Sequence, residues 1–169
     1  MKCSSDTASI RQHRRRGRSR LQRGVTLIEL LIVMIIAGVI AAIGNEMYSG
    51  YVEEARFRTM IGDLRRLEVV IERFRSDNGR LPATLAELGK GAPTDAYGNP
   101  YVYLNIEDGG AGIKGQVRKD KSLNPINSDY DLYSMGENGE SKPPLTAKAS
   151  QDDVVRAGNG GFLGRATDF

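Results

Sequence analysis

Apolar residues fall along this chain in three patterns, and each pattern predicts a different kind of element. From Val25 to Ile43 they run almost without a break for 19 residues, with Glu29 the single charge. At about 1.5 Å per residue, a helix of this length spans roughly 28 Å, the thickness of bilayer hydrocarbon. A helix that is apolar on all sides is buried in lipid or among other helices. Further on, Phe57, Met60, Ile61, Leu64, Leu67, Val70, Ile71 and Phe74 recur at spacings of three and four. That is one apolar stripe on an otherwise charged helix, suited to packing on a small domain. Asp77-Asn78-Gly79 supplies residues that close a helix in the left-handed conformation.

Past residue 79 the long period is lost. Thr84 to Leu88 reads as one short helical turn, and Ala96-Tyr97-Gly98-Asn99-Pro100 as a turn. Tyr101-Val102-Tyr103-Leu104 and the alternating Asp129-Tyr130-Asp131-Leu132-Tyr133-Ser134 predict strands. Gly109-Gly110-Ala111-Gly112 reads as a flexible tip and residues 114–127 as an irregular polar stretch. From Ser141 the tail is polar, and Pro143-Pro144 with Gly158, Gly160 and Gly161 argue there against regular structure. Within the helical region Gly44, Asn45 and Gly50 lower helix propensity just past the apolar run, which makes Gly44-Asn45 the expected weak point.

Charge sharpens the picture of the N-terminus. The whole chain carries +3, but residues 1–24 hold eight basic residues and one acid, leaving −4 on residues 25–169. A basic cluster can serve nucleic acid. Directly before an apolar span it instead holds the N-terminus in the cytoplasm, so no nucleic-acid partner is expected. The one cysteine, Cys3, and the one histidine, His13, both lie in this leader. Residues 25–169 therefore form no disulfide among themselves. They contain no nucleophile–base pair and no glycine-rich phosphate loop after a strand, so no catalytic residue is expected.

Glu29 is the anomaly, because an ionised side chain inside hydrocarbon is costly without a partner. A secretory signal places its small cleavage-site residues after the apolar region. Here Gly24 precedes it, and cutting there would remove the charges and keep the helix. Arg23-Gly24-Val25-Thr26-Leu27-Ile28-Glu29-Leu30-Leu31-Ile32-Val33 resembles the class III signal of type IV pilins and type II secretion pseudopilins. The resemblance implies cleavage between Gly24 and Val25 by a prepilin peptidase and N-methylation of Val25, where the family usually has phenylalanine. It also implies that Glu29 pairs with the N-terminal amine of a neighbouring subunit during filament assembly. Such an amine is mostly charged at neutral pH, so two costly charges would neutralise each other among apolar helices. Ala37 and Ala41, and Gly38 and Ala42, are small pairs that permit close helix approach. Many pseudopilins carry a proline just past the span; Glu46 stands there instead.

Three later stretches narrow the resemblance to the major pseudopilin of type II secretion. They are Asp77-Asn78-Gly79-Arg80-Leu81-Pro82, then Asp95-Ala96-Tyr97-Gly98-Asn99-Pro100-Tyr101-Val102-Tyr103, then Asp131-Leu132-Tyr133-Ser134-Met135-Gly136-Glu137-Asn138-Gly139. In that family a loop after the last of these binds calcium. Carried over, the ligands would be the Met135 carbonyl, the Asn138 side chain and Asp153, with Asp152 as the alternative to Asp153. Asn138 replaces an aspartate, and the stretch from Glu140 to Gln151 is longer than usual. Calcium takes six to eight hard oxygen ligands.

The expected architecture is α+β and type IV pilin-like, with a long N-terminal helix packed on a small antiparallel sheet and an irregular C-terminal loop. Residues 1–24 would be a removed leader, 25–43 a membrane and filament-core helix, and 44–78 its amphipathic continuation. Residues 79–169 would form a periplasmic head with a possible calcium loop at 134–155. The expected function is that of a pseudopilus subunit, a homopolymer helping to drive folded proteins across the outer membrane. Its expected partners are the prepilin peptidase, minor pseudopilins, and an inner-membrane assembly platform with its ATPase. The expected location is the bacterial inner membrane, spanned once. A type IV pilin, a minor pseudopilin, or a signal-anchored binding domain that never polymerises would use the same N-terminal residues.

Overall fold

The computed structural model describes residues 24–89 and 93–169; the leader through Arg23 lies outside them. The chain divides at Ile43–Gly44 into two compact units. A helix, α1, runs over Leu27–Asn78. It is continuous through Gly44 and Asn45, although the side chains of Asn45 and Glu46 lie outside the described ones. Its end follows the sequence expectation: Gly79 takes a positive φ of 71° and its N–H donates to the Arg75 carbonyl at 2.8 Å.

The N-terminal unit is a helix without a described protein partner. Leu27, Ile28, Leu30, Leu31, Ile32, Val33, Met34, Ile35, Ile36, Val39, Ile40 and Ile43 are all exposed. By length and composition this helix can cross a membrane.

In the second unit, residues 44–78 of α1 form one wall of the head. Four antiparallel strands follow, β1 (Val102–Asn105), β2 (Tyr130–Ser134), β3 (Val154–Ala157) and β4 (Phe162–Arg165), in the order β1-β2-β3-β4. In the register, Tyr103 faces Leu132, Tyr133 faces Val155, and Val155 faces Gly164. Strand alternation splits the apolar residues between two faces. Tyr130, Leu132 and Val154 pack with Met60, Leu64 and Ile71 of the helix. Val155 and Ala157 pack on the other face with Ile126, Leu145 and Ala166. The helical stripe read from the sequence is thus the core face, with Phe57, Ile61 and Leu67 at its margins.

Two expectations are corrected. The tail from Ser141 is not wholly irregular, since it contributes β3 and β4, and every residue of β3 is buried. The glycines that argued against structure instead close the hairpin between these strands, where Gly158, Asn159 and Gly160 have φ of 60°, 54° and 90°. Gly160 also lies against the helix: a Cβ there would stand 2.2 Å from Glu68 Oε1. The stretch 114–127 has no strand, yet Val117, Arg118, Ile126 and Asn127 are buried.

A buried cation joins helix to sheet. Arg156 on β3 is 2% exposed. Its Nε donates to Glu68 on α1 at 2.9 Å, and its two Nη atoms donate to the two oxygens of Asp129 at 2.9 and 2.7 Å. Its guanidinium lies 4.0 Å over the Tyr130 ring. Such forked, charge-assisted bonds fix geometry as well as supply energy. Further along the helix, Tyr97 Oη donates to Glu53 at 2.6 Å and Tyr101 Oη to Asp63 at 3.1 Å. Burial and the Glu53 carboxylate push the Tyr97 phenol up to about 12.

Leu64 is 0% exposed and Val69 is 68% exposed on the same helix. Leu64→Ala is therefore expected to lower unfolding stability by about 2–5 kcal/mol, while Val69→Ala stays within about 0.5 kcal/mol. Arg156→Met leaves Glu68 and Asp129 without their counter-charge and is expected to cost about 3–5 kcal/mol. Thermal unfolding followed by near-ultraviolet circular dichroism checks all three.

Candidate functional site

The N-terminal segment is built around one helix start. Thr26 precedes α1, and its Oγ1 accepts a hydrogen bond from the backbone N–H of Glu29 at 3.3 Å. The Thr26 carbonyl accepts from Leu30 N–H at 3.2 Å. Thr26-Leu27-Ile28-Glu29 thus has the spacing of a capping box, in which a threonine and a glutamate three residues later serve the first turn. Glu29 lies in that first turn, where the partial positive charge of the helix N-terminus favours a carboxylate. The T-x-x-E spacing of the sequence carries the Thr26 half of this cap, the bond from Glu29 N–H to Thr26 Oγ1. Gly24, Val25 and Glu29 are all exposed, and nothing in the described chain lies within 4 Å of where a Gly24 side chain would start.

In the head, the motif from Asp95 to Asn99 is a turn that closes on itself. The Asp95 carboxylate accepts from the N–H groups of Tyr97 and Asn99, both at 2.9 Å, and Ser134 Oγ donates to its other oxygen. Asn99 Nδ2 then donates to the Gly136 carbonyl at 2.7 Å. This ties the second recognised stretch to the third and fixes the entry to the C-terminal loop.

The loop residues expected to hold calcium are separated into two groups. Asn138 meets Asp152: its Nδ2 donates to Asp152 Oδ1 at 2.6 Å and its backbone N–H to Oδ2 at 3.0 Å. Its Oδ1 accepts from Glu140 N–H at 2.6 Å. Gly136 has a φ of 65°, and a Cβ there would stand 2.4 Å from the Asp152 carbonyl oxygen, so only glycine lets these two loop segments approach this closely. Met135 follows β2 and is half-buried.

Asp153 points elsewhere. It is 0% exposed and pairs with Arg118, itself 1% exposed. Arg118 Nη1 donates to Ser141 Oγ and to the Lys142 carbonyl, and Nη2 donates to Asp153 Oδ2. Ser141 Oγ also donates to Asp153 Oδ2 at 2.6 Å. Burial pushes the Asp153 carboxyl up to about 6, against the pull of Ser141 and Arg118, and leaves it an anion at neutral pH. The backbone of Arg118 is held as well: its N–H donates to Asp131 Oδ2 at 2.7 Å, and Asn127 Nδ2 donates to Asp131 Oδ1 at 2.9 Å. Burial raises the Asp131 pKa. The side chains implied for calcium are thus divided between two networks, Asp153 paired through Oδ2 with a guanidinium while its Oδ1 is buried without a hydrogen-bond partner, and Asp152 held by Asn138, and this division does not fit one shared cation. The sequence reading had given Arg118 no role, since nothing in a polar, patternless stretch marks which charge is buried.

Comparison with known proteins bears on both regions. Residues 19–44 match the family described as the prokaryotic N-terminal methylation motif. The chain is 32% identical over 137 residues to a type II secretion system core protein G of Klebsiella pneumoniae, covering 79% of this chain and 92% of that protein. It is 27% identical to the core protein G of Pseudomonas aeruginosa, covering 72% and 87%. A fimbrial protein of Neisseria meningitidis is also 27% identical, with 81% and 84% covered. No solved structure matches. The long helix, the small antiparallel sheet, the methylation motif and these relatives together carry one conclusion: the chain belongs to the type II secretion system core protein G family, the major pseudopilins, and is a structural subunit rather than an enzyme.

Proposed function

We propose that this subunit is cut between Gly24 and Val25 by a prepilin peptidase, methylated at Val25, and polymerised through its N-terminal helix into a pseudopilus. Precursor and mature protein would span the bacterial inner membrane once, with the leader cytoplasmic and the head periplasmic. The assembled fibre would work with minor pseudopilins and with an inner-membrane platform whose ATPase supplies energy to move folded proteins across the outer membrane. The observation that carries this reading is the part of α1 from residue 27 to 43, which exposes apolar side chains on every side with one carboxylate in its first turn. A surface of that kind is stable only in lipid or against like helices.

In the fibre the carboxylate of Glu29 would neutralise the amine created at Val25 of an adjacent subunit. Its place in the first helical turn keeps it close to the end where the amine appears. Gly44 and Asn45 remain the proposed place where the helix loosens on assembly. The match to a fimbrial protein gives a second reading, a type IV pilin, which uses the same processing and pairing. It differs in what the fibre is for.

Intact-mass analysis of the protein recovered from membranes is expected to show loss of residues 1–24 and one added methyl; an intact leader would refute processing. Glu29→Gln is expected to be processed normally yet to yield at least about tenfold less filament in shear-and-sediment assays. An amine left unpaired among apolar helices costs several kcal/mol, and about 1.4 kcal/mol is already tenfold. Filament yield equal to that of the unmodified chain would remove the pairing role. Coexpression with a secretion apparatus, scored by release of a folded substrate, separates the secretion fibre from the pilus.

A further inference from the structure

The oxygens gathered beneath the C-terminal loop already surround a cation. Asp153 Oδ2, Ser141 Oγ and the Lys142 carbonyl converge on the guanidinium of Arg118, and the Tyr133 ring lies 4.4 Å from its Cζ. These groups come from both ends of the loop: Ser141 and Lys142 at its start, Asp153 where β3 begins. Calcium in such a place would draw carboxylate and carbonyl oxygens from separated parts of the chain into one shell. A guanidinium does the same with N–H donors in a planar fork.

The arginine is placed by backbone, not by chance contact of a long side chain. Besides the bond from its N–H to Asp131, its carbonyl accepts from Ile126 N–H at 3.0 Å. The next residue joins the loop directly, with Lys119 N–H donating to the Pro143 carbonyl at 2.7 Å and Leu145 N–H to the Lys119 carbonyl at 2.9 Å. The main chain at Arg118 is therefore held beside the loop by bonds that do not involve its side chain.

Charge favours the arginine over a divalent ion. Asn138 brings no negative charge to the loop, and its amide donates to Asp152. The Asp153 charge is matched by Arg118, and a second cation on the same carboxylate would meet like-charge repulsion in a site shielded from water. The remaining carboxylate, Asp152, has both oxygens occupied by Asn138.

We propose that the Arg118 guanidinium is a built-in cation that replaces calcium as the staple of the C-terminal loop, so that this head folds and keeps its loop without metal. The proposal stands independently of the filament reading, because it concerns the head of a single subunit.

The test uses the full chain in detergent micelles, with thermal unfolding followed by near-ultraviolet circular dichroism of the head tyrosines. Unfolding is compared in EGTA and in about 5 mM calcium chloride, a concentration above the range in which extracellular calcium modules bind. The two midpoints are expected to agree within about 2 °C. Arg118→Met is expected to unfold at least about 5 °C lower, since it leaves Asp153 buried and unpaired, and Arg118→Lys is expected to fall between the two. A midpoint raised by calcium by more than about 2 °C in the unmodified chain overturns the proposal. An Arg118→Met midpoint equal to the unmodified one also overturns it. Should Arg118→Met fail to fold, the comparison of EGTA with calcium on the unmodified chain decides by itself.

Discussion

A guanidinium withdrawn from water has to be surrounded by acceptors, because the desolvation of a bare charge exceeds what a small core can offset. The head of this protein meets that demand at Arg156 and, through both Nη atoms though not Nε, at Arg118. Arg156 gathers Glu68 from the helix and Asp129 from the approach to β2, and Arg118 gathers Asp153, Ser141 and Lys142 around the C-terminal loop. Each arginine draws together segments far apart in sequence, which is the task that small exported domains often give to disulfides or metals. The only cysteine is Cys3, so no disulfide is available to residues 25–169. These two neutralised charges add cross-links between helix, sheet and loop to the packing of the apolar core.

The two arginines act differently. Arg156 is a joint: it fixes one helical register against β3, with the Tyr130 ring beneath it and Gly160 leaving room for Glu68. Arg118 is an organiser of a loop that lacks regular structure. Both depend on the planar fork of five donors, which a lysine cannot reproduce. The N-terminal unit shows the opposite electrostatic arrangement. There a single carboxylate sits in the first turn of an apolar helix, where the partial positive charge of the helix terminus favours it. Its remaining demand for a counter-charge is met, in the proposed fibre, by an amine that exists only after cleavage.

Much of this architecture is written locally in the chain. The period of Phe57 to Phe74 marked the face that packs on the sheet, because a buried stripe on one helix leaves its spacing in the sequence. The glycine after Asn78 marked the helix end, and β1 and β2 declared themselves by β-branched and aromatic residues. β3 and β4 did not. Glycines 158, 160 and 161 read as breakers, and only the pairing of Val154–Ala157 with Phe162–Arg165 turns them into a hairpin. The Thr26 cap is also local, since the T-x-x-E spacing carries it.

What the sequence by itself determined is local and periodic: an apolar helix with a cut site and one carboxylate, an amphipathic continuation, a capped end, and the motifs of a pseudopilin head. Those properties depend on neighbours a few residues apart, so they survive without knowledge of the fold. What only the tertiary structure decided is which charges are buried and with whom. Arg118 and Arg156 look in sequence like any other arginine, and Asp152 and Asp153 like interchangeable ligands. Their burial and pairing arise from segments separated by tens of residues, and the cost of desolvating a charge is set by that surrounding shell rather than by the residue that carries it.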